Sequence, residues 1–176
     1  LETTTEVNQY EEKNVYGGFW IRVAAYLIDS IIIGIPLTII SILILLLFFG
    51  TSDITYLMMA DPAYMETGMT DEEALSFLAT YFGSIIVTSI VSIVIAVAYF
   101  AGLQASKWQA TIGKKALGLQ VTDLKGERIS FWRGFGRYLA MSFLSGILFI
   151  GYIMVGITEK KQGLHDFIAG TVVVKK

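Results

Sequence analysis

Three stretches of this chain contain no charged residue: Ser30 to Ser52, Ala74 to Ser106 and Tyr138 to Thr158, of 23, 33 and 21 residues. A bilayer core about 30 Å thick requires roughly 20 apolar residues of helix, whereas runs of about 10 to 14 are typical of buried helices in soluble proteins. Each stretch is long enough to cross lipid, so the expected fold class is an all-α polytopic membrane protein. Charge is costly in that solvent, so the few ionisable residues beside the apolar runs are the first candidates for function.

The 176 residues are 55% hydrophobic, with the apolar residues gathered in long runs, which leaves room for a single domain. Charge is unevenly divided. Six acids and no base lie between Asp53 and Glu73, while Lys107 to Arg137 holds seven bases and two acids. Basic segments collect on the cytoplasmic side, which predicts a cell-membrane protein with 107–137 inside, the acidic loop outside and both termini cytoplasmic. The first run lacks a small-residue cleavage site and is expected to persist in the mature protein. Cysteine is absent and there is one histidine. That composition excludes disulfides, thiolate metal sites and thiol nucleophiles, and nothing points to a metal, a cofactor or nucleic acid as a ligand.

The pattern divides the chain into a mobile acidic tail (1–15) and one membrane domain (16–176). Helix 1 is expected over 16–49, with a bend at Gly34 and Pro36, because about 30 residues of helix exceed the core thickness. An outer loop follows over 50–69. Thr70 and Glu73 form a capping box that starts a second helix over 70–106. Along it Ser84, Thr88 and Ser92 recur every four residues and make a small, polar packing face. Residues 107–130 read as a cytoplasmic β-hairpin, with Leu124-Lys125-Gly126 as its turn, and the β-branched run near Val172 to Val174 as an added strand. The segment 131–158 is too long for one perpendicular span and too short for two. It predicts a helical hairpin that dips into the membrane and returns, with a plain third span as the alternative, and Arg133 and Arg137 held at the rim by snorkelling. Residues 159–176 complete the cytoplasmic side.

Arg22, Tyr26 and Asp29 fall on one face of helix 1. A carboxylate at the lipid boundary needs a partner, so Arg22 is expected to pair with Asp29, with Asp166 as a second carboxylate. His165 is the candidate proton relay, or else a hydrogen-bonding pin. Trp108, Lys114 and Lys115 are candidate contacts for anionic lipid headgroups. In the outer loop, Tyr56, Met58, Met59, Tyr64, Met65 and Met69 form an adaptable surface suited to a protein partner or to the outer leaflet.

Three segments together carry a family resemblance: Tyr16-Gly-Gly-Phe-Trp-Ile-Arg22 through Asp29, Thr111-Ile-Gly-Lys-Lys-Ala-Leu-Gly-Leu-Gln-Val-Thr-Asp123, and Leu164-His-Asp166 with Ala169-Gly-Thr-Val-Val-Val174. In this order they resemble the RDD family, whose one Arg and two Asp fall on Arg22, Asp29 and Asp166. Gly163 and Phe167 depart from the family's usual Thr and Arg, which removes a cation beside Asp166. The resemblance implies a membrane architecture and, for some members, cation/proton antiport.

Charge type and motif content set the functional expectation. No paired-His zinc motif or Gly-x-Ser-x-Gly elbow is present, so an enzyme is not expected. A permanent guanidinium repels cations, and few helices are available for alternating access. The chain is read as a non-enzymatic accessory or regulatory protein that binds another membrane protein, for example as an inhibitor of a membrane-bound protease. The alternative is a cation/proton antiporter or ion-transport subunit working as a homo-oligomer.

Overall fold

A computed structural model describes residues 15–50, 69–145 and 150–176. Helix α1 runs over Phe19–Phe49 and is continuous through Pro36. Helix α2 begins at Asp71 and extends to Ala105, with a π-helical turn over Ala98–Gly102 near its end. Its start is the expected capping box. Glu73 accepts from the Thr70 backbone N–H at 2.8 Å, and Thr70 Oγ1 accepts from the Glu73 N–H at 3.3 Å. These two helices are long and apolar enough to cross a membrane. Their large side chains face outward, including Ile31, Ile35, Leu43 and Leu47 on α1 and Leu75, Phe82, Ile86 and Ile93 on α2. So much exposed apolar surface is untenable in water and natural in lipid, where only helices and closed barrels satisfy the backbone. On α2, Ser84 is fully buried while Ile85 and Ile86 are exposed, which fits the expected small-residue packing face.

The chain divides into two compact units, one of residues up to Ile33 and from Ile95 onward, the other of Gly34–Val94. The second unit holds the C-terminal part of α1 and most of α2, where the rings of Phe49 and Phe77 lie 5.6 Å apart. The first unit holds everything else and contains the core.

In that unit helix α3 (Ile112–Ala116) leads into strand β1 (Leu119–Asp123). Helix α4 (Phe131–Ala140) passes into a π-helical turn over Met141–Ser145. Helices α5 (Ile150–Ile157) and α6 (Leu164–Ala169) follow, then strand β2 (Thr171–Lys175). The strands pair antiparallel, with Val121 opposite Val173. Residues Val15 to Gly17 line the other edge of β2: Gly17 N–H donates to Val173 O and Lys175 N–H to Val15 O, each at 2.8 Å. Ala25, Leu119, Val121, Ile129 and Val173 form the core. The β-branched residues of β2 fit a pleated surface covered on both faces.

The expected hairpin does not form. The turn is present, with Asp123 Oδ1 accepting from the Lys125 and Glu127 N–H groups at 2.9 and 2.8 Å. Beyond it no second strand follows, because Ile129 is taken into the core and the Ser130 hydroxyl caps α4 by accepting from Arg133 N–H. The partner of β1 is instead the distant strand β2, as the Val172–Val174 run predicted. Among the described residues, the region 131–158 carries the helices α4 and α5 and the π-helical turn between them.

Candidate functional site

The three motif residues do not form one cluster. They form two adjoining arrangements.

Asp166 is fully buried in the first turn of α6 and binds two guanidinium groups. Arg22 Nη1 donates to Oδ2 at 2.5 Å. Arg137 donates to Oδ1 from Nε at 2.8 Å and from Nη2 at 2.5 Å. The Gly163 N–H adds a bond to Oδ2 at 3.1 Å, and Thr171 Oγ1 lies 3.3 Å from Oδ1. Burial alone would raise the Asp166 pKa, but Arg137 and Arg22 reverse this and hold it well below the usual carboxylate range. The cations are anchored in turn. Arg22 donates to the Gly17 and Lys161 carbonyls, and Arg137 Nη1 donates to Gln104 Oε1. One carboxylate thereby ties α1, α4 and the end of α2 to the first turn of α6.

Asp29 was expected to pair with Arg22; it does not. Its Oδ1 accepts from Tyr99 Oη at 2.6 Å and from Gly113 N–H at 2.7 Å, and its Oδ2 accepts from Thr111 Oγ1 at 2.5 Å. All three donors are neutral. Thr111 is also the N-cap of α3, where its Oγ1 accepts from Lys114 N–H. Asp29 therefore seats the first turn of α3 on α1. The seat is tight, since a Cβ at Gly113 would lie 2.9 Å from Asp29 Cγ and press on the Ala25 carbonyl. This explains the Thr111-Ile-Gly113 motif: a capping hydroxyl and a side-chain-free amide meet one carboxylate. Arg22 turns to Asp166 because α3, by supplying those donors, already satisfies Asp29.

Arg137 corrects a second expectation. It is buried, at 2% exposure, and does not snorkel, whereas Arg133 is exposed and lies 3.6 Å from Asp123. Glycine at 134 lets α4 approach the π turn of α2, where a Cβ would meet Ala101 O at 3.1 Å. The same turn presents Tyr99 to Asp29, and π-helical turns recur at functional sites. Phe167 is exposed, so the residue at that position lies outside the carboxylate's shell, and Arg137 provides the second cation from another helix.

His165 is buried, with Nε2 3.7 Å from Asp166 Oδ1. Burial, reinforced by Arg137, Arg22 and Lys114 against the opposing pull of Asp166, lowers its pKa to about 3. The headgroup trio is split. Trp108 is exposed with Lys115 Nζ 3.6 Å over its ring, while Lys114 is only 8% exposed. Lys114 is drawn inward because α3 is pinned to Asp29. Burial, then Arg137, pull its pKa down to about 7 against Asp29 and Asp166. Of the methionine surface, Met69 is exposed, and Tyr56, Met58, Met59, Tyr64 and Met65 lie outside the described residues.

Beside the two carboxylates is a cavity of about 420 Å³. Its charged lining is Arg22, Asp29, Lys114 and Arg137, with His165, and its apolar wall includes Phe19, Val23, Phe100, Met141 and Val155. Arg137 was read from the sequence only as a rim residue, and Tyr99 and Gln104 were not singled out. Tyr99 and Gln104 lie in an uncharged run that reads as lipid-facing.

The RDD family model matches residues 16–170. YxaI of Bacillus subtilis (strain 168), an uncharacterized protein, is 46% identical over 90% of this chain and 97% of its own length. YteJ of the same organism, an uncharacterized membrane protein, is 28% identical over 92% of this chain and 82% of its own length. YckC, also uncharacterized and from that organism, is 28% identical over 91% and 86%. No solved structure matches the chain. With two exposed apolar helices, the family match over most of its length and these relatives, the chain is a membrane protein that belongs to the RDD family.

Proposed function

We propose that this protein is a non-enzymatic accessory or regulatory subunit that acts by binding another membrane protein, with inhibition of a membrane-bound enzyme such as a protease as one form of that action. The observation carrying this reading is the saturation of both motif carboxylates. Asp166 is held by two guanidiniums and Asp29 by three fixed donors. A carboxylate that cycles a cation must be able to release its donors, and an Arg pair beside it repels the cation. The cluster is better suited to fixing the fold, and the surface outside it is left to recognise a partner. In this reading both termini and the sheet are cytoplasmic, and the methionine-rich loop faces outward.

A photo-crosslinker at Tyr56, Met59 or Met69 in native membranes tests the proposal. One dominant membrane-protein adduct that is lost on substituting the loop methionines is expected. Adducts only to lipid or to the chain itself would overturn it. Proton flux in liposomes that depends on added cation and disappears in Asp29→Asn would favour the antiporter instead.

A further inference from the structure

Lys114 is the feature that the charge cluster does not use. Its side chain is more than nine-tenths buried and lines the 420 Å³ cavity. Among the described residues, its ammonium has neither a hydrogen-bond acceptor nor a carboxylate at ion-pair distance. The neighbouring acids are occupied. Asp29 directs both oxygens at α3 and Tyr99, and Asp166 lies behind two guanidiniums. Three cations (Arg22, Arg137 and Lys114) stand against these two carboxylates, leaving one positive charge uncompensated in a buried site. Such a charge needs a partner. All three ammonium donors of Lys114 are unspent, whereas each nitrogen of Arg22 and Arg137 already donates a bond. Apart from these groups, Tyr26 and His165, the wall is apolar, and the volume is in the range of small-molecule pockets.

We propose that this cavity binds an amphiphile with a single negative charge on its head, seated on Lys114 Nζ, and an alkyl chain lying along Phe19, Val23, Phe100, Met141 and Val155. A fatty-acid carboxylate and the phosphodiester of an anionic phospholipid share this chemistry. The site stands apart from the partner surface proposed above and does not depend on it.

The test uses the full chain, delipidated in non-ionic detergent, with equilibrium binding measured for palmitate and for phosphatidylglycerol. Hexadecanol, hexadecyltrimethylammonium and inorganic phosphate are the controls. One equivalent of palmitate or of phosphatidylglycerol is expected to bind, and whichever does so identifies the source. Lys114→Met should weaken binding about tenfold or more, the usual consequence of losing a charge-assisted hydrogen bond. Lys115→Met, at the exposed neighbour over Trp108, should leave it unchanged. The Lys114 substitution removes a buried unpaired charge, so the variant is expected to fold. The wild-type comparison of head charges needs no variant. Equal binding of the neutral or cationic amphiphile, equal binding of phosphate without a chain, binding of neither anionic lipid, or undiminished binding by Lys114→Met would each overturn the site.

Discussion

Arg137 sends two hydrogen bonds to one oxygen of Asp166, from Nε at 2.8 Å and from Nη2 at 2.5 Å, while Arg22 holds the other oxygen. The carboxylate is thus gripped from two helices, and the strength of the grip can be measured.

Losing Arg137 leaves Asp166 with Arg22 but takes away the charge-assisted hydrogen bonds to its buried Oδ1, at a cost of about 1.5 to 3 kcal/mol. Arg137→Gln is therefore expected to lower thermal stability in detergent by that order. Arg133→Gln, at the exposed pair with Asp123, should change it by no more than about 0.5 kcal/mol. Circular-dichroism melts of the two variants decide the matter, and similar losses in both would refute a special role for Arg137.

Gly113 is the closest approach between α3 and α1. Gly113→Ala forces a methyl group against Asp29 and the Ala25 carbonyl and is expected to destabilise by about 1 to 3 kcal/mol through overpacking. The same change at Gly136, which has nothing within 4 Å of an added Cβ, should be close to neutral or stabilising, since alanine favours helix. Paired melts check the contrast.

His165 makes stability depend on pH. Its folded pKa of about 3 lies below its ordinary value of 6.5. Between these values the unfolded chain binds a proton that the folded chain refuses, so stability falls as pH drops from 6.5 toward 3. The slope from one such group is at most about 1.4 kcal/mol per pH unit. Melting curves between pH 4.5 and 6.5 should slope less in His165→Gln, and His165 is the chain's sole histidine.

Lys114 gives a slope in another window. Its pKa of about 7 lies below the ordinary 10.5, so between pH 7 and 10.5 the unfolded state holds the extra proton. Stability should rise with pH across that window. Lys114→Met is expected to flatten the rise, as followed by melting in non-ionic detergent without added lipid.

Periodicity and charge-free length were enough to read α1, α2, the capping box at Thr70 and the strand around Val173 from the sequence, because each follows from local pattern and composition. The pairing inside the cluster was not legible. Helical spacing brings Arg22 and Asp29 to one face, but the choice of partner depends on α3, whose donors reach Asp29 from 82 to 84 residues away. Nor does spacing reveal Tyr99, since its place opposite Asp29 depends on the π turn that breaks the period of α2. The failed hairpin has a similar cause: Ser130 serves as a helix cap, and the local signal for a strand lost to it.

Arg22 and Asp166 are separated by 144 positions along the chain. Synthesis proceeds from the N-terminus, so α1 and β1 are both made before α6 and β2, which supply their partners. The ion pair of Arg22 and the pairing of β1 therefore both wait for the last stretch of the chain.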